Sequence, residues 1–161
     1  MKKLLLAMFS ILSLGLTSCL NNDDGPQKYQ GYAIVTNVES PKTGVVGKDL
    51  TFNVTFQLNS TCAKLVGINS QLLFQDPSQE HKYAGQMEVV PVVESEDPNC
   101  SNSGGGTVTK EFKVLPNAPG LYHFKFYKGV KGEGREARPQ FIEVDVQVNM
   151  APDKTESEKP A

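Results

Sequence analysis

Apolar and polar residues alternate with a period of two along much of this chain. Leu50, Phe52, Val54, Phe56 and Leu58 are separated by Thr51, Asn53, Thr55 and Gln57, the pattern of a strand with one buried face. Ile142, Val144, Val146 and Val148 alternate with Glu143, Asp145 and Gln147, and Tyr122, Phe124 and Phe126 with His123, Lys125 and Tyr127. Weaker versions of the pattern cover residues 31–39, 65–75, 82–94 and 107–115. Pro41, Pro77, Pro98, Pro116, Pro119 and the run Gly104-Gly105-Gly106 fall between these segments. Pro91 falls inside the fourth, which predicts an edge strand or a bulge there. No window carries a helical stripe. About seven short strands at this spacing predict an all-β fold, an antiparallel β-sandwich of two sheets.

The ends of the chain read differently. Met1-Lys2-Lys3 is a basic start, and residues 4–16 are an apolar run interrupted only by Ser and Gly. The run is shorter than the roughly 20 residues that span a bilayer, so residues 1–18 are expected to be a cleaved signal peptide. Residues 19–29 contain Asn21, Asn22, Asp23, Asp24, Gly25 and Pro26 and read as a flexible linker. Residues 30–150 form one expected domain, without internal repeats. Residues 151–161 lack aromatic and large aliphatic side chains and are expected to form a disordered tail.

Composition sharpens this division. The whole chain is 39% hydrophobic with a formal charge of −2. Without Lys2 and Lys3, 14 basic residues face 18 acidic ones, a net charge of −4. That balance argues against a nucleic-acid partner.

Two family resemblances follow from local motifs. Leu16-Thr17-Ser18-Cys19 resembles the lipobox of bacterial lipoproteins. That resemblance implies diacylglycerol on the Cys19 thiol, cleavage just before it, and a membrane partner held through two or three acyl chains. Asp23 and Asp24 resemble part of the surface-export signal of Bacteroidetes lipoproteins, which implies an outer-membrane location, with the domain facing either outward or into the periplasm. Gly120-Leu121-Tyr122, entering the sixth expected strand, resembles the tyrosine corner of immunoglobulin-like domains. Phe124 stands where antibody domains place a cysteine, and the chain has no tryptophan, so both antibody core markers are absent. Taken together, the chain resembles small Ig-like lipoproteins of Bacteroidetes, which implies an Ig-like sandwich on a lipid anchor.

Cys62 and Cys100 remain after lipidation, in an exported protein where oxidation is expected. In Ig-like topology they fall in the loops after the second and fourth strands, which emerge at one end and allow a disulfide. Free thiols and an intermolecular bridge are the other possibilities. The loop between the last two strands joins that end. It carries Lys128, Lys131, Arg135 and Arg138 against Glu133 and Glu136, a local charge of +2. It is a candidate contact for an anionic envelope partner, such as lipopolysaccharide phosphates or an acidic protein patch, or simply a solvated hairpin.

Catalytic chemistry finds few groups. His81 and His123 are the only histidines, and His123 reads as an outward strand residue beside Lys125. Cys62 and Cys100 lack C-x-x-C spacing for zinc. Glu94, Glu96 and Asp97 read as a solvated run rather than a calcium loop. The three glycines lack the Lys-Ser/Thr and helix of a phosphate loop. No catalytic residue, metal or cofactor is therefore assigned. With no tryptophan, and only Tyr29, Tyr32, Tyr83 and Tyr127 as exposed rings, the sequence gives little support to a glycan platform. The expected function is non-catalytic binding or adhesion. An accessory subunit of an outer-membrane assembly and a hydrolase inhibitor are the alternatives.

Overall fold

The computed structural model describes residues 28–73, 82–96 and 104–152. These build nine strands: β1 (Tyr29–Tyr32), β2 (Ile34–Glu39), β3 (Thr43–Val45), β4 (Leu50–Gln57), β5 (Lys64–Leu72), β6 (Gly85–Ser95), β7 (Thr107–Val114), β8 (Gly120–Lys131) and β9 (Arg138–Asn149). A single 3-10 turn, Gly134–Glu136, interrupts the β8–β9 hairpin.

Two sheets pack face to face. The smaller has the order β2-β4-β7. The larger runs β1-β6-β8-β9-β3, with β5 on the other side of β6. The fold is thus an all-β sandwich. β4 keeps the period-two pattern: Leu50, Phe52, Val54 and Phe56 are buried and the residues between them face outward. Phe52 is the centre of the core, with ring centroids 4.6 Å from Phe124, 5.6 Å from Phe126 and 6.0 Å from Phe112. Val35, Val89, Val93, Val146 and Val148 fill the space around these rings.

Two departures from the expected layout matter. The first expected strand divides at Ala33, which is fully buried. On one side, β1 joins β6 in the large sheet; on the other, β2 joins β4 in the small one. The alanine methyl is small enough for the chain to cross between layers there. Pairing is also not purely antiparallel, because β3–β9 and β6–β8 are parallel. Parallel neighbours require a crossover; between β6 and β8 it runs through β7 in the opposite sheet.

Pro91 is corrected by the same layout. It lies buried inside β6, a strand with partners on both sides, rather than at an edge. Along one side of β6 the partner is β8 as far as Val89, and β1 from Val92 onward. Pro91 occupies the seam between them, where its carbonyl accepts the Ala33 N–H at 3.1 Å. On a strand a residue's N–H and C=O point to the same neighbour, so the missing N–H faces the seam and no ladder bond is lost.

Candidate functional site

Strand registers place the sequence-derived candidates at two ends of the sandwich. Tyr29 pairs with Ser95 at the C-terminal end of β6. Lys28 Nζ lies 3.6 Å from Glu94 Oε2, and Gln30 Nε2 donates to Glu94 Oε1 at 2.8 Å, so Glu94 fastens the first described residues. The β4–β5 turn is here too, since Lys64 pairs with Glu94. The β6–β7 connection returns against that turn: Gln57 pairs with Thr107, Leu58 N–H donates to Gly106 O at 3.0 Å, and Gln57 Nε2 donates to the Gly105 carbonyl. Gly105 is buried so tightly that a Cβ there would overlap the Leu58 carbonyl. Of the three glycines, Gly105 is thus the one required by close packing against the Cys62 turn.

Cys62 is half-buried in that turn, its sulfur 3.8 Å from the Thr61 hydroxyl. Cys100 lies outside the described residues, on the connection between Glu96 and Gly104. Cys19, with residues 1–18 and the rest of the linker through residue 27, also lies outside them, as do His81, Asp97 and the tail from residue 153.

β8 runs parallel to β6, so its C-terminal end reaches the same pole. Lys128, Lys131, Arg135 and Arg138 are all exposed on the hairpin that follows. None of the four forms an ion pair among the described residues. Arg138 instead donates to the Arg135 and Ala137 carbonyls, at 3.2 and 3.0 Å, which closes the loop on itself.

The tyrosine turn is at the far pole, ten residues back along β6, or about 33 Å at strand rise. The Tyr122 hydroxyl donates to Ala118 O at 3.0 Å and accepts from Ala118 N–H at 3.3 Å. Gly120 has φ +134°, and a Cβ there would stand 2.7 Å from the Ala84 methyl. Glycine is required on both counts.

Between the poles, the outer face of the large sheet carries three cross-strand rows. Opposed residues point to the same face. Asn69 pairs with Val90 on one side and Tyr127 with Phe141 on the other; the next row joins Gln71, Glu88, Lys125 and Glu143; the last joins Gln86, His123 and Asp145. Tyr32, at the end of β1, meets Tyr127 edge to face, with centroids 6.0 Å apart and planes at 68°. A groove of about 620 Å³ opens here, with the two tyrosines on one wall and Asn69 and Gln71 on the other, above Glu88 and Val90.

His123 is the residue that sequence reading placed least well. It does lie on the outer face, but it is buried, because Tyr83 stacks on its ring at 4.7 Å. Its Nδ1–H donates to Asp145 Oδ1 at 2.6 Å, and Nε2 faces Glu143 Oε2 at 3.8 Å. The two acids are visible in the sequence as alternating β9 residues. Their pairing with His123 depends on the β8–β9 register, and the Tyr83 cover depends on a loop, so neither was readable.

Comparison with protein-family models, curated proteins and solved structures finds no match for this chain.

Proposed function

We propose that this chain is a lipid-anchored cell-envelope protein, akin to small Ig-like lipoproteins of Bacteroidetes, whose sandwich serves non-catalytic binding. Cys19 carries the lipid, and the outer membrane is its location. The observation that carries the reading is the clustering at one pole. The first described residues, the Cys62 turn and the basic hairpin all gather there. An anchor upstream of Lys28 therefore holds Lys128, Lys131, Arg135 and Arg138 next to anionic headgroups, while the groove on the sheet face is left open to a second partner. Cys100 is proposed as the partner of Cys62, joining the two loops that pack around Gly105.

Metabolic labelling with radioactive palmitate in the native cell tests the anchor. The reading expects label on the full chain, none on Cys19→Ala, and release of that variant from the membrane fraction. Labelling independent of Cys19, or a wild-type chain that stays soluble, rejects it. A second reading, an accessory subunit, is favoured by β5, which has β6 as its one strand partner among the described residues and exposes Val66 and Leu72. Free strand edges accept further strands. Crosslinking in intact cells that returns one stoichiometric membrane protein through β5 would favour it.

A further inference from the structure

We infer that the groove between β5 and β8 is a binding site for a neutral oligosaccharide, with the Tyr32–Tyr127 corner against a sugar ring and Asn69, Gln71 and Glu88 on its hydroxyls. The inference deepens the binding-module reading above and does not depend on the anchor.

A sugar ring presents an apolar face of C–H groups and a rim of hydroxyls, each both donor and acceptor. A protein surface that recognises it needs an exposed aromatic ring beside amides or carboxylates with spare hydrogen-bonding capacity. The groove has both. Tyr32 is 59% exposed and is held by its edge contact with Tyr127, so its face costs little ordering on binding. Asn69 and Gln71 project from alternate positions of β5, and Glu88 stands directly opposite Gln71. None of these three side chains makes a hydrogen bond or ion pair among the described residues.

Elsewhere several strand polar side chains are committed to one another. On the outer face of the small sheet, Asn53 donates to Glu39, Thr55 bonds to Thr109, and Gln57 donates to the Gly105 carbonyl. At the rim of the large sheet, Gln30 is committed to Glu94. Asn69, Gln71 and Glu88, which face the two tyrosines, have no such partners among the described residues.

Size and charge narrow the ligand. The volume of about 620 Å³ falls within the range of small-ligand sites. The lining contains one acid, Glu88, and no lysine or arginine, and Lys125 stands opposite Glu88 on the neighbouring strand, so the groove offers an anionic sugar no net positive charge. A proline-rich peptide would need apolar ridges on both walls, and the β5 wall offers amides instead.

The test is titration of the full chain in detergent with neutral hexasaccharides of glucose, mannose, galactose, xylose and N-acetylglucosamine. Intrinsic tyrosine emission is the readout, unmasked because the chain has no tryptophan. At least one hexasaccharide is expected to bind. Tyr127→Ala, Tyr32→Ala and the pair Asn69→Ala with Gln71→Ala are each expected to weaken it by about tenfold or more, with Tyr127→Phe close to wild type. Unchanged circular dichroism in all variants separates lost contacts from lost fold. The inference is overturned by no binding up to about 10 mM, the weak end of specific affinity. It is equally overturned by binding indifferent to Tyr127 and Gln71, or by binding confined to a polyproline peptide or an acidic polysaccharide. Any of these in a chain that still labels with palmitate rejects the sugar site and leaves the anchored-module reading standing.

Discussion

The Tyr83 ring lies over the His123 imidazole with centroids 4.7 Å apart and planes 22° from parallel, sealing a histidine that its strand position turns outward. The sheet face beneath is otherwise open, so this stack decides whether the His123–Asp145 hydrogen bond at 2.6 Å is sheltered or bathed in solvent. Tyr83→Ala is expected to destabilise the fold by about 1–2 kcal/mol, from the lost ring contact and buried area. A urea midpoint equal to that of the wild type would show that the stack is decoration.

Phe52 touches three other rings and is completely buried, so its removal opens a cavity shared by both sheets. Phe52→Ala is expected to cost about 3–5 kcal/mol, against a total of about 5–15 kcal/mol for an ordinary domain. Phe52→Leu should cost clearly less. Equal losses for the two variants in chemical denaturation would mean that the site collapses around any smaller side chain.

The comparison of sequence with fold turns on which facts are local. β4 was legible because each residue's inward or outward choice is written in its own polarity, and all eight positions follow it. The division of the first strand at Ala33 was not legible, because both halves alternate alike and only their partners differ. Pro91 misled because proline is disfavoured where a ladder bond is needed, and only the three-dimensional seam shows that none is needed there. The groove was half legible: Tyr32 and Tyr127 were available rings, but their meeting requires β1 to end beside β8. The amides of β5 gave no signal, since polar residues on a strand are ordinarily just solvated.

Gly120 and Tyr122 form one device, the glycine turning the chain and the phenol tying the turn to Ala118. Tyr122→Phe keeps the buried ring and loses only the hydroxyl bonds, so a loss of about 1 kcal/mol is expected. Gly120→Ala meets both a positive φ and the Ala84 methyl, and is expected to cost more, about 2–3 kcal/mol. Thermal unfolding that ranked Tyr122→Phe as the worse of the two would contradict this account.

If Cys62 and Cys100 are joined, the unreduced, denatured chain should show no free thiol from either residue, and proteolysis should yield one peptide pair linked through them. The closed loop of about 38 residues is worth nearly 4 kcal/mol in the chain-entropy model, so reductant should lower the urea midpoint markedly. Two titratable thiols, or a linkage to a second chain, would remove the staple.

The basic hairpin supplies the last prediction. Lys128, Lys131, Arg135 and Arg138 are exposed, lack ion-pair partners among the described residues, and sit at the pole where the described residues begin. Basic side chains near an anionic surface contribute about 1 kcal/mol each, and the attraction fades within a Debye length of about 8 Å at physiological salt. Charge, rather than shape, would then set affinity. The chain with Cys19→Ser is expected to bind vesicles containing anionic lipid at low salt and to leave them as salt rises. Changing all four basic residues to Gln should abolish that binding without altering the thermal midpoint, because none of their side chains is buried. Changing Lys110 and Lys113 to Gln, both exposed on the edge strand β7 about 10 and 20 Å back from this pole, should leave it nearly intact. Vesicle cosedimentation against salt distinguishes the cases: equal losses from both sets of substitutions would reduce the effect to net charge and withdraw any role for the hairpin.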